Sequence, residues 1–502
     1  MRYSDFAAAD HRRYYSQFKT PNVVAEFMIA WIKSRGVTEV FNPGTGIGTF
    51  ISCAKDQGIA ISGVEADFRL VKTIMAKDVV TAPKVRHGDY LLLPKAQRRC
   101  IISTPPITPI RRYYTAQDDY SKVCKAVGYS THQTTYLYIL WLYKAMTEIQ
   151  NGGIVALFVP ADFLSTITGK VVREKLISSR SLHAIIRIED AEFSIIAEAE
   201  GQVIPHEWVI VLADTRAHAD AVSFRSCTMS DLYSQSGVNL VSYSKLYTTS
   251  SWQIFLTGCA NNDSKLVPIT KYGRFKRGIL SGANRYFSLT PSDAASLQLK
   301  ESEIRACIHK YTDAKNPVFS SSDFRKLIDE DAPSFIFYAS KKMESISAGA
   351  QSYIEYGEKL GLPKISKLSQ ATPWYSFVHS FTPADYWLWV YVRDDYRLVL
   401  NQSGVLNSSI FHGFFLHPSM QEWRIPLFLF LLSKAGKKLI NGGICKYKSR
   451  IKQYTVEALN SAMVPDTYVL SRLSDNADKY LDEISSTGAV PVELDNTINS
   501  FR

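Results

Sequence analysis

No uninterrupted apolar run reaches the ~20 residues that a membrane-spanning helix needs. The longest, Ile425 to Leu432, is also interrupted by Pro426. The opening residues, MRYSDFAAADHRR, contain no apolar h-region, so no secretory signal is expected. Cysteine is sparse, with 7 in 502 residues: Cys53, Cys100, Cys124, Cys227, Cys259, Cys307 and Cys445. The number is odd and no CxxC occurs, which argues against a disulfide scaffold and against a structural zinc site of the usual spacing. The 10 histidines form neither HExxH nor an HxH pair, so no catalytic metal is expected. GxSxG is missing, which leaves no elbow for an acyl-transfer serine. No Asp…Glu-x-Lys cluster follows a strand in the manner of a nuclease centre, and there is no repeat or low-complexity tract. A cytosolic protein without a membrane segment is expected.

What is present is ordinary in bulk and uneven in charge. The 46% hydrophobic and 21% charged fractions fit a folded globular chain. At ~100–200 residues per domain, the length predicts several domains. Lys and Arg number 58 against 47 Asp and Glu, a net charge of +11. Between Lys434 and Lys452 there are seven basic residues and no acid, among them Lys446, Lys448 and Arg450. The segment KYGRFKRGILSGANRYF interleaves Lys271, Arg274, Lys276, Arg277 and Arg285 with aromatics. Such clusters attract polyanions, nucleic acid foremost; a solvated surface is the alternative.

The first ~215 residues alternate short apolar runs with helical patterns, as a parallel sheet flanked by helices would. Strands are expected near Val37–Asn42, Ile59–Val64, Val85–Gly88, Cys100–Ser103, Ile154–Val159, Ala184–Ile188 and Glu207–Leu212. The clearest helix spans Gln133–Glu148, with Tyr136, Ile139, Leu140 and Tyr143 on one face. Asn151-Gly152-Gly153 supplies its left-handed cap. Beyond Ser223 the alternation fades into a Ser-, Tyr- and Trp-rich region that reads as a separate mixed α+β domain. The expected division is 1–230 and 231–502.

One turn in the first region carries chemistry. After the first strand comes Asn42-Pro43-Gly44-Thr45-Gly46-Ile47-Gly48, then a helix opening at Thr49. Alternate glycines let the backbone bend sharply and approach a ligand with no Cβ in the way. The pattern is G-x-G-x-G and no Lys-Ser/Thr pair follows, which excludes a phosphate-cradling P-loop. Seventeen residues after Gly48, Glu65 closes the second strand, where a carboxylate can accept both ribose hydroxyls of a nucleoside. Asp89 follows the third strand and can accept an adenine amino group. A glycine loop, a ribose acid and an adenine acid, with no phosphate site, describe a pocket for S-adenosylmethionine.

NPGTGIGTF resembles the first motif of class I S-adenosylmethionine-dependent methyltransferases, specifically the gamma-class, Taq-like N6-adenine DNA methyltransferases of type II restriction–modification systems. YYSQFKTP, from Tyr14 to Pro21, is similar to the segment that precedes that motif in the gamma-class order. GGIVALFVPADFL, KRGILSGANRYFSL and VLNSSIF extend the resemblance along the chain. It implies a Rossmann-like α/β fold, mainly a parallel seven-stranded sheet, followed by a target-recognition domain. It also implies that Gln17, Phe18, Thr20 and Pro21 line the methionine end of the cofactor and that Phe68 packs beside its adenine. The implied partners are double-stranded DNA and a separately encoded restriction endonuclease, with the chain acting as a monomer.

After the fourth strand the sequence reads CIISTPPITPIRRYY. In the resembled family this turn is Asn/Asp/Ser-Pro-Pro-aromatic. A side-chain oxygen and the first proline carbonyl accept the two N–H bonds of the target amino group, and the aromatic stacks on a flipped base. Here the turn is Thr104-Pro105-Pro106-Ile107, with a weaker acceptor and no π face at the fourth position. Three readings are open: an active adenine-N6 enzyme in which Phe193, Tyr113 or Tyr114 supplies the stacking; a cytosine-N4 enzyme; or a catalytically inactive DNA binder. Arg111 and Arg112, beside Tyr113 and Tyr114, suit phosphate clamping and stacking, or a loop packed on the sheet edge. Arg274, Lys276, Arg277, Asn284 and Arg285 are the candidate DNA readers of the second domain. Trp374, Tyr375, Trp387 and Trp389 are expected in that domain's core.

Overall fold

The apolar runs of the first region assemble into one nine-stranded sheet: β1 (Glu39–Pro43), β2 (Ala60–Glu65), β3 (Lys84–His87), β4 (Cys100–Ser103), β5 (Ile154–Pro160), β6 (Leu182–Ile188), β7 (Trp208–Asp214), β8 (Ala221–Cys227) and β9 (Asn239–Ser242). The structure is a computed structural model that describes residues 14–76, 84–131, 135–149, 152–189, 207–249, 251–256, 266–339, 346–377, 382–393, 396–441, 445–448 and 451–499. Strand order is β3-β2-β1-β4-β5-β7-β6-β8-β9. β3, β2, β1, β4 and β5 run parallel, and β7 lies antiparallel between β5 and β6. The order in which strands are added to the sheet reverses between β1 and β4, and an open α/β sheet binds its ligands at such a switch point, outside the carboxyl ends of the strands.

Helices cover both faces. One face carries Asn22–Ser34 and Thr49–Asp56, which bury Val24, Met28, Ile29, Phe50 and Ala54 against Val40, Ile102 and Ala156. The other carries Gln117–Val127 and Leu137–Glu148, whose Val123, Val127, Leu137 and Leu140 pack with Val64 and Tyr90. β5 and β7 are buried at every position, as central strands under two layers must be. Leu137–Glu148 is buried on nearly every side, not along a single stripe.

The expected α/β class is present, with two more strands than the seven foreseen. β8, which ends at Cys227, and β9, which lies beyond residue 230, prolong the sheet, so the first compact unit runs through Asn262, with Cys445–Ile451, and the expected division falls inside it. The reason is edge pairing: β8 joins β6 in parallel and buries Val222, Phe224 and Arg225.

The second unit spans Asp263–Ile444 and Lys452–Arg502. It contains a five-stranded sheet in the order Gly273–Arg277, Phe411–Leu416, Tyr386–Trp389, Leu398–Asn401, Val318–Phe319, and a four-stranded sheet built on Ile304–Ile308. The apolar run noted above forms a buried helix, Arg424–Leu432, packed with Leu470, Leu473, Tyr480 and Ile484. Trp374, Tyr375 and Trp387 are buried and Trp389 stacks on Tyr311, so the aromatics are core as expected. Cys53, Cys100, Cys124, Cys227 and Cys307 are free and buried. Among the described residues no helix is long and apolar enough to cross a membrane, and no His/Cys/Asp/Glu group could hold a metal ion.

Candidate functional site

A cavity opens at the carboxyl ends of β1, β2, β3 and β4, with about 780 Å³ of space counted to its solvent-open mouth. Its floor is the glycine loop. Gly44, Gly46 and Gly48 have φ of 65°, 56° and 87°, the left-handed region a Cβ disfavours. The loop is tied down where it leaves β1: Gly44 N donates to Val64 O at 2.7 Å, and Ser103 Oγ donates to Pro43 O at 2.6 Å. Asn42 is fully buried, and its Nδ2 donates to Ile102 O at 2.8 Å. Gly63 on β2 makes room for the loop. A Cβ there would collide with the Thr45 methyl and lie 2.5 Å from Asn42 O.

Glu65 sits beneath this loop, 6% exposed. Its Oε2 accepts from Gly46 N at 2.8 Å and its Oε1 from Asp67 N at 2.9 Å. Burial raises its pKa, and those backbone donors counter the rise in part. Asp89 also lines the cavity; Leu91 N donates to Oδ1 at 2.9 Å and the Tyr114 hydroxyl to Oδ2. Burial raises the Asp89 pKa, opposed by the Tyr114 bond. Behind this turn, Lys144 is fully buried and donates to Tyr90 O at 2.8 Å and to Leu93 O, with Glu148 at 3.9 Å. Burial pushes its pKa down to about 8.

The opposite wall comes from far along the chain. Residues Tyr14 to Thr20 fold over the turn that follows β4. Thr20 Oγ1 donates to Thr104 Oγ1 at 2.9 Å, the Ser16 and Thr108 hydroxyls bond each other, and Tyr14 Oη donates to Tyr113 O at 3.0 Å. The Tyr14 ring stacks on Tyr113 with centroids 5.1 Å apart, and Tyr15 and Tyr114 meet Tyr113 edge-on. Ser16 holds φ of 51° to make the bend.

Of the sequence-derived cofactor residues, Gln17, Phe18, Thr20, Gly44, Gly46, Glu65 and Asp89 line the cavity together with Thr104 and Pro106 of the turn. Pro21 precedes the helix Asn22–Ser34, Asn42 and Pro43 end β1, Gly48 starts the helix Thr49–Asp56, and Pro105 is buried; these shape the walls without lining them. Phe68 differs from expectation. It is half exposed at the start of Phe68–Ala76, edge-on to His87 at 5.3 Å, and is not among the lining residues. Ile107 packs against the core that holds Phe18 and Trp208 and does not form an apolar pocket wall. Tyr113 and Tyr114, foreseen either beside the DNA phosphates or as substitutes for the stacking aromatic, line the cavity; Tyr114 is 8% exposed and bonded to Asp89. Arg111 and Arg112 are exposed on the same short helix, Ile110–Tyr113. Phe193 lies outside the described residues.

Sequence reasoning passed over Tyr15, Thr45, Tyr90, Leu137 and Trp141, which also line the cavity. Leu137 and Trp141 stand four residues apart on one helix face, the signal that would have found them. Two buried polar atoms of this lining, Thr45 Oγ1 and Trp141 Nε1, have no hydrogen-bond partner among the described residues. Unpaired polar atoms in a cavity with two carboxylates fit a polar ligand of nucleoside type.

In the second unit, Arg274, Lys276 and Arg277 are exposed on the edge strand Gly273–Arg277 while Phe275 turns into the core. Asn284 and Arg285 are exposed on Asn284–Phe287, and Asn284 Oδ1 accepts from Ser281 Oγ at 2.9 Å. Lys434 pairs with Asp495 at 3.6 Å. Lys446 and Lys448 lie in the strand Cys445–Lys448, which groups with the first unit, and Arg450 is outside the described residues.

Residues 246–432 match the family model of the type II methyltransferase M.Eco57I C-terminal domain. The chain is 26% identical over 494 residues to the type II methyltransferase M.AccI of Acinetobacter calcoaceticus, covering 94% of this chain and 89% of that protein. Among solved structures, the type IIG restriction endonuclease BpuSI aligns with 96% of this chain at 12% identity and a TM-score of 0.44; the chain spans 65% of that longer protein. A type I restriction–modification methyltransferase subunit from Streptococcus thermophilus aligns with 46% of this chain and 56% of its own, at 13% identity and a TM-score of 0.37. Along nearly its whole length, then, the chain is similar to a type II methyltransferase, and residues 246–432 match the model of an M.Eco57I C-terminal domain.

Proposed function

We propose that the chain transfers a methyl group from S-adenosylmethionine to N6 of a specific adenine in double-stranded DNA, modifying the site of a separately encoded restriction endonuclease. One observation carries this reading: Thr104 and Pro106 line the same cavity as Gly44, Gly46, Glu65 and Asp89. A cofactor-type pocket and a rigid di-proline turn share one space. The cofactor, when bound, supplies an electrophilic methyl group. Glu65 is positioned to accept ribose hydroxyls with the lone pairs left by its two backbone bonds, and Asp89 to accept the adenine amino group. Thr45 Oγ1 and Trp141 Nε1 are free to bond the remaining polar atoms. The Pro105 carbonyl and the Thr104 oxygen accept the amino protons of the flipped target base. This holds the nitrogen in line for transfer. Tyr113, which lines the cavity and stacks on Tyr14, is assigned to stack on the base. The product, a protonated amine, loses its proton to water, so no strong base is required.

Exposed Arg111 and Arg112 are assigned to phosphate, and Arg274, Lys276, Arg277, Asn284 and Arg285 to the recognition of DNA by the second unit. The test is nucleoside analysis of DNA from cells that express the chain, against cells that do not. N6-methyladenine is the expected product. N4-methylcytosine would move the target to cytosine, and unmodified DNA under conditions where cofactor and DNA both bind would remove the catalytic reading.

A further inference from the structure

An amide at the first position of the catalytic turn presents a fixed oxygen and a fixed nitrogen. A threonine hydroxyl instead carries one proton and two lone pairs on a single rotating atom. It can serve a substrate in an ordered way only if another group sets its rotation. The fold provides one. Thr20 is buried, 6% exposed, and its Oγ1 donates to Thr104 Oγ1 at 2.9 Å. The Ser16–Thr108 and Tyr14–Tyr113 bonds hold this segment against the turn on its other side. With one lone pair of Thr104 taken by Thr20, the remaining lone pair and the Thr104 proton are left to the cavity that both residues line.

We propose that Thr20 is a positioning residue that turns the Thr104 hydroxyl toward the amidine edge of the target base, its proton to the ring nitrogen and its lone pair to the neighbouring amino group. In adenine these are N1 and N6. A single hydroxyl can meet both because the two groups are adjacent. The proposal rests on the methyl-transfer reading above.

The test is a double-mutant cycle on Thr20 and Thr104 with labelled methyl incorporation into DNA, paired with calorimetric cofactor binding. A lost neutral hydrogen bond is expected to lower kcat ~3- to 10-fold in Thr20→Val. Rates are read at saturating cofactor, so that any change in cofactor Kd is kept apart from kcat, and Thr20→Ser should recover most of the rate. On a Thr104→Val background, Thr20→Val should cost nothing further. DNA carrying 1-deazaadenine at the target, which keeps the amino group and lacks N1, should react ~3- to 10-fold more slowly with the natural chain and show no such penalty with Thr104→Val. Additive losses in the cycle, a Thr20→Val defect confined to cofactor Kd, or equal rates on adenine and 1-deazaadenine would each overturn the proposal while leaving methyl transfer intact. A natural chain that incorporates no methyl into any DNA would overturn both.

Discussion

Replacing Glu65 with glutamine tests the pocket with the least change of shape. Both carboxylate oxygens accept backbone N–H bonds, from Gly46 at 2.8 Å and Asp67 at 2.9 Å, and the side chain is 6% exposed. An amide keeps one acceptor and turns a donor toward the other N–H. One buried donor then loses its partner, at ~1–3 kcal/mol of folding stability. The cofactor loses the charged acceptor for its ribose, a bond worth ~1.5–3 kcal/mol, which raises Kd about 10- to 150-fold. Calorimetric titration with S-adenosylmethionine reads the second quantity, and a thermal melt of the unliganded chain reads the first. Glu65→Ala would blur the two, because it strips partners from both N–H groups at once. A Glu65→Gln chain that melts at a lower temperature yet binds cofactor as tightly as the natural one would confine Glu65 to supporting the loop. The ribose assignment would then be wrong.

Thr104→Ala should slow methyl transfer by about 10- to 100-fold, since an amino proton is left unpaired at ~1–3 kcal/mol, whereas Thr104→Asn should preserve or raise the rate if adenine is the target; single-turnover assays decide both. Burial raises the Glu65 and Asp89 pKa values above their ordinary 4.5 and 3.8, so both carboxylates protonate, and cofactor affinity falls, earlier on acidification than exposed acids would require. The stability effect has the opposite sign: the folded chain binds these protons more tightly than the unfolded one. Between the ordinary and the raised values these two groups therefore favour folding as pH falls, and calorimetry beside thermal melts across that window should separate the two trends. Neutralising Arg274, Lys276 and Arg277 together should flatten the dependence of DNA affinity on salt by ~0.9 in log–log slope for each phosphate that is no longer neutralised, and an unchanged slope would put the DNA on another surface.

Sequence periodicity reaches the strands that helices separate, because each such strand is flanked by a change of period. It misses β8 and β9. Ala221–Cys227 and Asn239–Ser242 join the sheet without an intervening helical crossover, and β9 alternates buried and exposed residues like any surface loop with a few apolar positions. Local composition leaves Arg111 to Tyr114 open between a DNA-facing clamp, a loop packed on the sheet edge and a stacking role in the pocket; a single helical turn sends the arginines to solvent and the tyrosines to the cavity. The slot of Ile107 in its motif suggests a pocket wall, whereas the di-proline turn directs it back into the core. The glycine loop, Glu65 and Asp89 are legible because their spacing follows strand ends, and strand ends are where this fold keeps its site. The strap from Tyr14 to Thr20 is reached only through resemblance. Nothing in its own composition says that it bonds residues more than 80 positions away.

Gly63 belongs to no recognisable signature, yet the glycine loop depends on it. With the Thr45 methyl and the Asn42 carbonyl occupying the volume where a Cβ would sit, the loop and the neighbouring strand form a single interlocked surface. The fingerprint of the pocket is therefore discontinuous, three glycines in the loop and a fourth in the next strand. A search or a design that copies the loop alone would transplant an incomplete part. Grafted onto a strand with valine at that place, the same seven residues from Asn42 to Gly48 would be lifted off the sheet, and the distance from Gly46 to the acid below would open with them.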